Sequence, residues 1–252
     1  MADWNPEKYL LFKKQRTQPA IDLANRVRDC NPKTIVDIGC GPGNSTAVLH
    51  KMFPQAELRG IDSSPGMIER ARAKYSDIPF SLCGAEELTG AYDLLFSNAC
   101  LQWIPDHAAL IPHLMENLTE QGVLAVQMPM NRDEPLYRII REVAAEPRWD
   151  FRDVYFDTND TLAPEAYFDI LSGCSVSFEQ WKTVYYHALP SHEHLIDWVR
   201  ETRLRPYLAA LDGSRQQLFE QEILARVKEI YHPTPGGDVI LKFRRFFFVA
   251  RR

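Results

Sequence analysis

The stretch from Thr34 to Asn44 constrains the fold more than any other. A short β-branched run, TIVDI (34–38), meets the turn GCGPG (39–43) and then the helix-forming segment NSTAVLHKM (44–52). The alternation then repeats. ELRGID (57–62) reads as a second strand, and Ser64-Pro65 opens a helix that runs to about Tyr75. Phe80–Cys83, Tyr92–Asn98 and Gly122–Met128 read as strands three to five, with a helix over His107–Leu118. Strand and helix in turn at this spacing imply a parallel sheet covered on both faces. Further on, a helix in Pro164–Leu171 precedes strands near 176–187 and 239–250. The last of these is expected to close the sheet as an antiparallel neighbour.

Two segments exceed a minimal sheet-and-helix unit. They are 129–163 and 191–235, the second reading as helices near 192–211 and 214–231. Both leave the carboxyl end of a strand, where open α/β sheets bind ligands. They are therefore expected to form a helical lid over the active site of one domain spanning 1–252.

Composition excludes several classes. A net charge of -5 over 252 residues supplies no bulk field for nucleic acid or an anionic membrane. An anionic ligand must be held by a local cluster of cations. Five cysteines, an odd number with no C-x-x-C pair, argue against a disulfide framework and against zinc, so no metal is expected. A reducing cytoplasm fits that usage best. The first residues lack a signal-peptide core, and no run of about 18 apolar residues reads as a membrane span.

The chemistry gathers at the glycine turn. Gly39, Gly41 and Gly43 allow a tight turn and close backbone approach to a ligand. Their spacing is G-x-G-x-G. A dinucleotide fingerprint needs G-x-G-x-x-G or -A, and position 44 is Asn. Pro42 removes an amide from the loop. Asp37, just before the turn, would repel a pyrophosphate and suits the ammonium of an amino acid. Asp62 ends the second strand, where a carboxylate can accept from both hydroxyls of a ribose. The plainer reading, a helix cap before Pro65, is one that Ser63 or Ser64 can fill. Two carboxylates at adjacent strand ends suit a nucleoside joined to an amino acid.

These segments resemble motifs I and II of the class I S-adenosylmethionine-dependent methyltransferases. The resemblance implies that family's Rossmann-like α/β sheet, mostly parallel with an antiparallel last strand, and S-adenosylmethionine as cofactor. It implies that Gly39, Gly41 and Gly43 line the methionine part, that Asp37 helps to hold its amino group, and that Asp62, with Ser63 beside it, grips the ribose. It also implies that the Ala85 amide meets adenine, and that Asn98, Ala99 and Trp103 face the sulfonium and its methyl. The family often has an Asp just before the adenine amide. Here that position is Gly84, with Glu86 as the available substitute.

DWNPEKYLLF, GCGPGNST, GIDSSPGMI, NACLQWIPDH, GVLAVQMP, YYHALPSHEHLIDWV, LRPYL and FFFVARR extend the likeness along the chain. Together they are similar to the carboxyl methyltransferases that esterify trans-aconitate. The partner so implied is a small tricarboxylate. A carboxylate is already ionised at neutral pH and needs no general base, so no catalytic side chain is assigned and positioning is expected to suffice. Candidate substrate-binding residues are Tyr9, Arg16, Gln102, Tyr186, Trp198, Arg200, Arg203 and Arg205. Arginine suits carboxylates through its bidentate fork. Trp198 and Arg205, seven apart, would share a face of an unbroken helix. Lys242, Arg244 and Arg245 read as charges that solvate the last strand.

Three alternatives stand beside this reading. A hydroxyl or amine acceptor would want a base, with His107 and His187 as candidates. An NAD(P)-dependent oxidoreductase is opposed by the loop spacing. A non-catalytic binding protein would expose an apolar surface, for which Phe246–Phe248 is the candidate.

Overall fold

In the computed structural model, which describes residues 13–152 and 161–252, β1 (Thr34–Ile38) lies inside a seven-stranded sheet. Its Ile35, Val36 and Ile38 are wholly buried, each such side chain contributing about 1.5–3 kcal/mol. The other strands are β2 (Glu57–Asp62), β3 (Phe80–Leu82), β4 (Tyr92–Asn98), β5 (Leu118–Pro129), β6 (Ser177–Leu189) and β7 (Val239–Arg251). Their order is β3-β2-β1-β4-β5-β7-β6. Strands β1 to β5 pair in parallel, and β7 runs antiparallel to β5, as the sequence implied.

Helices follow the strands where caps and breakers put them. The first described helix is α1 (Lys13–Arg26); its Arg26 binds Glu179 and lies over the Trp181 ring. The helix α2 (Asn44–Met52) starts from Gly43 in the left-handed region. Ser64 caps α3 (Pro65–Lys74), with Pro in the first turn. Ile68 and Ala71 pack that helix on Cys40, Ile78 and Phe80. The helix α4 (His107–Glu116) buries Leu110, Ile111 and Leu114. Strand β5 begins four residues before the expected Gly122, because Leu118 pairs with Tyr92 across a register shift.

The chain divides into two compact units. Among the described residues, one comprises 13–15, 130–152 and 184–244; the other comprises 16–129, 161–183 and 245–252. The second unit holds the glycine turn and β1 to β5. The first holds most of both insertions. Its α5 (Pro135–Ala144) places Leu136, Ile139, Ile140 and Val143 on one buried stripe. That stripe belongs to a core that includes Trp198, Phe219, Ile223 and Phe243.

Two expectations on these insertions change. The helix expected at 192–211 is interrupted: α7 (His192–Val199) passes into a π turn at Arg200–Leu204 and then α8 (Arg205–Ala209). Pro206 lacks an amide and crowds the carbonyl four residues back, which disfavours regular α-helix there. Trp198 is accordingly buried and Arg205 exposed, so the two do not share a face. The later helix, α9 (Gly213–Ile230), forms almost as expected, and α6 (Pro164–Cys174) runs three residues past Leu171.

The aromatic run is also internal. Phe246, Phe247 and Phe248 are at most 1 % exposed, stacked on Tyr167 and Trp181, so they offer no apolar docking surface. Among the described residues no helix is long and apolar enough to cross a membrane.

Candidate active site

Asp37 is fully buried at the end of β1. Its Oδ2 accepts from Ser45 Oγ at 2.7 Å and Thr46 Oγ1 at 2.6 Å, both in the first turn of α2. Its Oδ1 is buried and finds no hydrogen-bond partner among the described residues. Burial pushes this carboxyl up to about 7, against the pull of the Thr46 and Ser45 hydroxyls; the Asp62 charge adds to the rise. A group of this kind is made comfortable by a cation brought to the free oxygen.

The three glycines of the turn have different neighbours. All have positive φ. A Cβ on Gly39 would fall 2.1 Å from Cys100 Sγ, and one on Gly43 would fall 2.7 Å from the Tyr75 ring. A Cβ on Gly41 would meet nothing within 4 Å. Gly39 and Gly43 are thus required by the protein's own packing, whereas Gly41 faces open space.

Asp62 braces this turn. Its Oδ2 accepts from the Gly41 amide at 2.9 Å and its Oδ1 from the Ser64 amide at 2.8 Å. Each oxygen keeps a second lone pair for a hydroxyl. The helix cap is Ser64, not Asp62, and Ser63 is exposed beside it. Beyond β3, Ala85 is buried. Glu86 Oε2 lies 3.2 Å from where a side chain on residue 84 would begin, so its carboxylate reaches back to that place. Glu87 is taken up by the Gly84 amide at 3.2 Å.

The end of β4 completes the arrangement. Ala99 adopts φ +56, and its amide donates to the Gln127 carbonyl at 2.8 Å. Cys100 sits against Gly39, and its thiol is pushed up to about 12, by burial first and then by the charges of Asp62, Asp37 and Glu86. All three carboxylates thus act on one thiol beside the turn. Gln102 is buried, with Nε2 on the Ala99 carbonyl at 2.7 Å. Trp103 is 51 % exposed, so it is not core packing. His107 is held at both nitrogens: Nε2 lies 2.8 Å from the Leu101 carbonyl and Nδ1 lies 2.6 Å from Tyr167 Oη. A carbonyl only accepts, so Nε2 carries the proton and Nδ1 accepts from the tyrosine. This histidine has a structural post.

The remaining candidates divide sharply. Tyr9 lies outside the described residues, and Arg16 is described only as part of the α1 backbone. Within the first unit, Tyr186 is 65 % exposed and Trp198 is buried against His187 and Phe243. Arg200 bonds Glu220 at 2.7 Å, and the Arg203 guanidinium lies over the Tyr137 ring at 5.9 Å. Two clefts of this unit, one along Arg148, Arg215 and Glu222 and one along Arg141, Phe151 and Tyr207, are lined by none of the candidates.

One expectation about cations is overturned. Arg244 and Arg245 do not simply solvate β7. Arg244 pairs with buried Glu134 at 2.7 Å, and Arg245 is only 6 % exposed. The available signal was strand parity, because Arg245 continues the alternating stripe Val239, Leu241, Phe243. Its side chain meets Gln127, a residue that no sequence motif singles out.

A buried carboxylate with a free oxygen, a second one bracing a glycine turn, and an α/β sheet with an antiparallel final strand define a nucleoside-binding transferase. The chain belongs to the methyltransferase family: the family model described as a methyltransferase domain matches residues 31–187. It is 47 % identical to the trans-aconitate 2-methyltransferase of Escherichia coli O139:H28 (strain E24377A / ETEC), with 100 % of this chain and 99 % of the relative covered. The Shigella flexneri protein of the same name is 46 % identical over the same shares. Among solved structures, a putative methyltransferase from Bacillus halodurans C-125 superposes with a TM-score of 0.62 at 12 % identity, covering 93 % of this chain and 98 % of that one. The plantazolicin methyltransferase BpumL, in complex with SAH, gives 0.55 at 15 % identity, covering 98 % and 90 %. At these identities the structures speak for the fold alone.

Proposed function

We propose that this chain transfers the methyl group of S-adenosylmethionine to one carboxylate of trans-aconitate, giving the monomethyl ester and S-adenosylhomocysteine. The observation that carries the reading is identity of 47 % to a trans-aconitate 2-methyltransferase over the whole chain, both insertions included. The cofactor supplies an electrophilic methyl on a sulfonium. The protein's residues hold and orient it. Asp37 faces the ammonium with its free oxygen, Gly41 leaves room for the methionine chain, and Asp62 accepts from the ribose hydroxyls. Gly39 and Gly43 fix the turn that brings these groups together, and Asn98, Ala99 and Trp103 border the sulfonium.

At the adenine end we assign the Ala85 amide and, in place of an acid at residue 84, the Glu86 carboxylate. Glu86→Gln is expected to erase most of the preference for S-adenosylhomocysteine over its inosine analogue in calorimetric titration. An unchanged preference would remove Glu86 from the site.

The acceptor needs no base, and the posts held by His107 accord with that. The chain is read as one methyltransferase domain whose segments 129–163 and 191–235 select the acceptor. Tyr9, Arg16, Gln102, Tyr186, Trp198, Arg200, Arg203 and Arg205 remain its proposed contacts. Five free thiols accord with a reducing cytoplasm.

The test is incubation of the purified protein with S-adenosylmethionine and a panel of carboxylates. Trans-aconitate should yield S-adenosylhomocysteine and a base-labile ester. Absence of turnover across all tricarboxylates, with the cofactor still bound, would remove the acceptor and spare the donor.

A further inference from the structure

Three buried polar side chains, Gln127, Arg245 and Gln102, and the half-buried Asn98, whose Oδ1 is covered, lie where β4, β5 and β7 adjoin, and the cofactor reading uses only Asn98 of them. Gln127 is wholly buried in β5 and stands opposite Asn98 of β4 and Phe247 of β7. Two residues along β7 from Phe247, on the same face, Arg245 is 6 % exposed. Arg245 Nη1 donates to Gln127 Oε1 across 3.4 Å, a long contact for a hydrogen bond. That contact sets the amide: its oxygen faces the guanidinium, and Nε2 is left buried with no hydrogen-bond partner among the described residues. Asn98 Oδ1 and Gln102 Oε1 are in the same condition.

The place of this group is set by the sheet. Asp37 pairs in register with Phe96, two residues before Asn98, so Asp37, Asn98, Gln127 and Arg245 share one face. Cys100, two residues beyond Asn98, touches Gly39. The group therefore adjoins the glycine turn, one strand after another, at the carboxyl ends of β4 and β5. Leaving a buried polar atom unmet costs about 1–3 kcal/mol, and such atoms gathered beside a cofactor turn are expected to serve a ligand.

We propose that Arg245 and Gln127 together seat a carboxylate of the acceptor beside Asn98. The guanidinium and the Gln127 amide are donors, which a carboxylate accepts in pairs. The side-chain oxygens of Asn98 and Gln102 are acceptors; they suit a hydroxyl or water and leave the anion to the donors. This inference rests on the acceptor being a carboxylate, as proposed above.

Two variants test it in the full-length protein. Arg245→Gln removes the charge. Gln127→Glu places a carboxylate against Arg245 in competition with that of the substrate. Both are expected to raise KM for trans-aconitate roughly 10- to 100-fold, the weight of a hydrogen bond to a charged group. Both should bind S-adenosylhomocysteine, read by calorimetry, within about threefold of wild type, well under one such bond. A substrate lacking one carboxylate should be poorer for wild type yet no poorer than trans-aconitate for the variants. The inference is overturned if both variants keep the wild-type KM, or if substrate and S-adenosylhomocysteine affinity fall together. Should wild type bind no member of the carboxylate panel, the acceptor reading fails with it. Wild-type turnover with unaffected variants would sink this inference alone.

Discussion

Gly39→Ala is expected to destabilise the protein by roughly 2–5 kcal/mol, among the largest effects of any single methyl group. Two penalties add. The residue sits at φ +67, where a side chain costs about 1–2 kcal/mol. The new Cβ would also lie 2.1 Å from Cys100 Sγ and 2.3 Å from Cys100 Cβ. The second contact is with an atom fixed to the backbone, so no rotamer of Cys100 removes it. Overpacking of this sort adds about 1–3 kcal/mol, and the melting temperature should fall by roughly 4–20 °C for a chain of this size. Gly41→Ala is the control. It carries the same kind of strain at φ +53 but meets nothing within 4 Å. It should fold, with a loss near 1 kcal/mol, and lose cofactor affinity instead. Thermal unfolding of the two variants checks the contrast; a Gly39→Ala protein as stable as Gly41→Ala would mean that the turn does not press on Cys100.

Cofactor affinity should fall roughly tenfold between pH 8 and pH 6, because Asp37 must ionise to meet an ammonium. Its carboxyl stands at about 7, raised chiefly by burial. A raised acid favours the folded state in its neutral form. The stability it contributes is therefore complete below the ordinary aspartate range and is lost as pH rises through about 7. The free protein should lose stability over that window while gaining affinity for the cofactor. Asp37→Asn separates the two effects. It should melt higher than wild type at pH 8, bind S-adenosylhomocysteine more weakly there, and show a flat dependence of affinity on pH. A wild-type affinity that does not change between pH 6 and 8 would show that the carboxylate does not pair with the ammonium.

Much of the fold and the cofactor side of the site is legible in the residues themselves. β1, α2, β2 and β4 fall on the expected residues because β-branched runs meet glycine, proline and serine breakers at their ends. Asp37 and Asp62 stand out because both adjoin a turn whose spacing opposes a pyrophosphate. Strand β5 reads short, since Glu120-Gln121-Gly122 looks like a turn and only its pairing with Tyr92 keeps it in the sheet. The surroundings of the arginines are less legible. Arg200 is neutralised by Glu220, twenty residues along the chain, a contact no local pattern announces. Arg245 is in principle readable from its parity with Val239, Leu241 and Phe243, but three cations among eight residues suggest a solvated face. Trp198 and Arg205 align only on a regular helix, and a π turn interrupts it.

The most direct measurement is a calorimetric titration of S-adenosylhomocysteine into wild type and Asp62→Ala. The substitution strips two backbone amides and a ribose of their acceptor. One-to-one binding by wild type, weakened by about 1–3 kcal/mol in the variant, is the expected result. Equal affinities, or no heat with the wild-type protein, would contradict a sulfonium nucleoside held between Asp37, the glycine turn and Asp62.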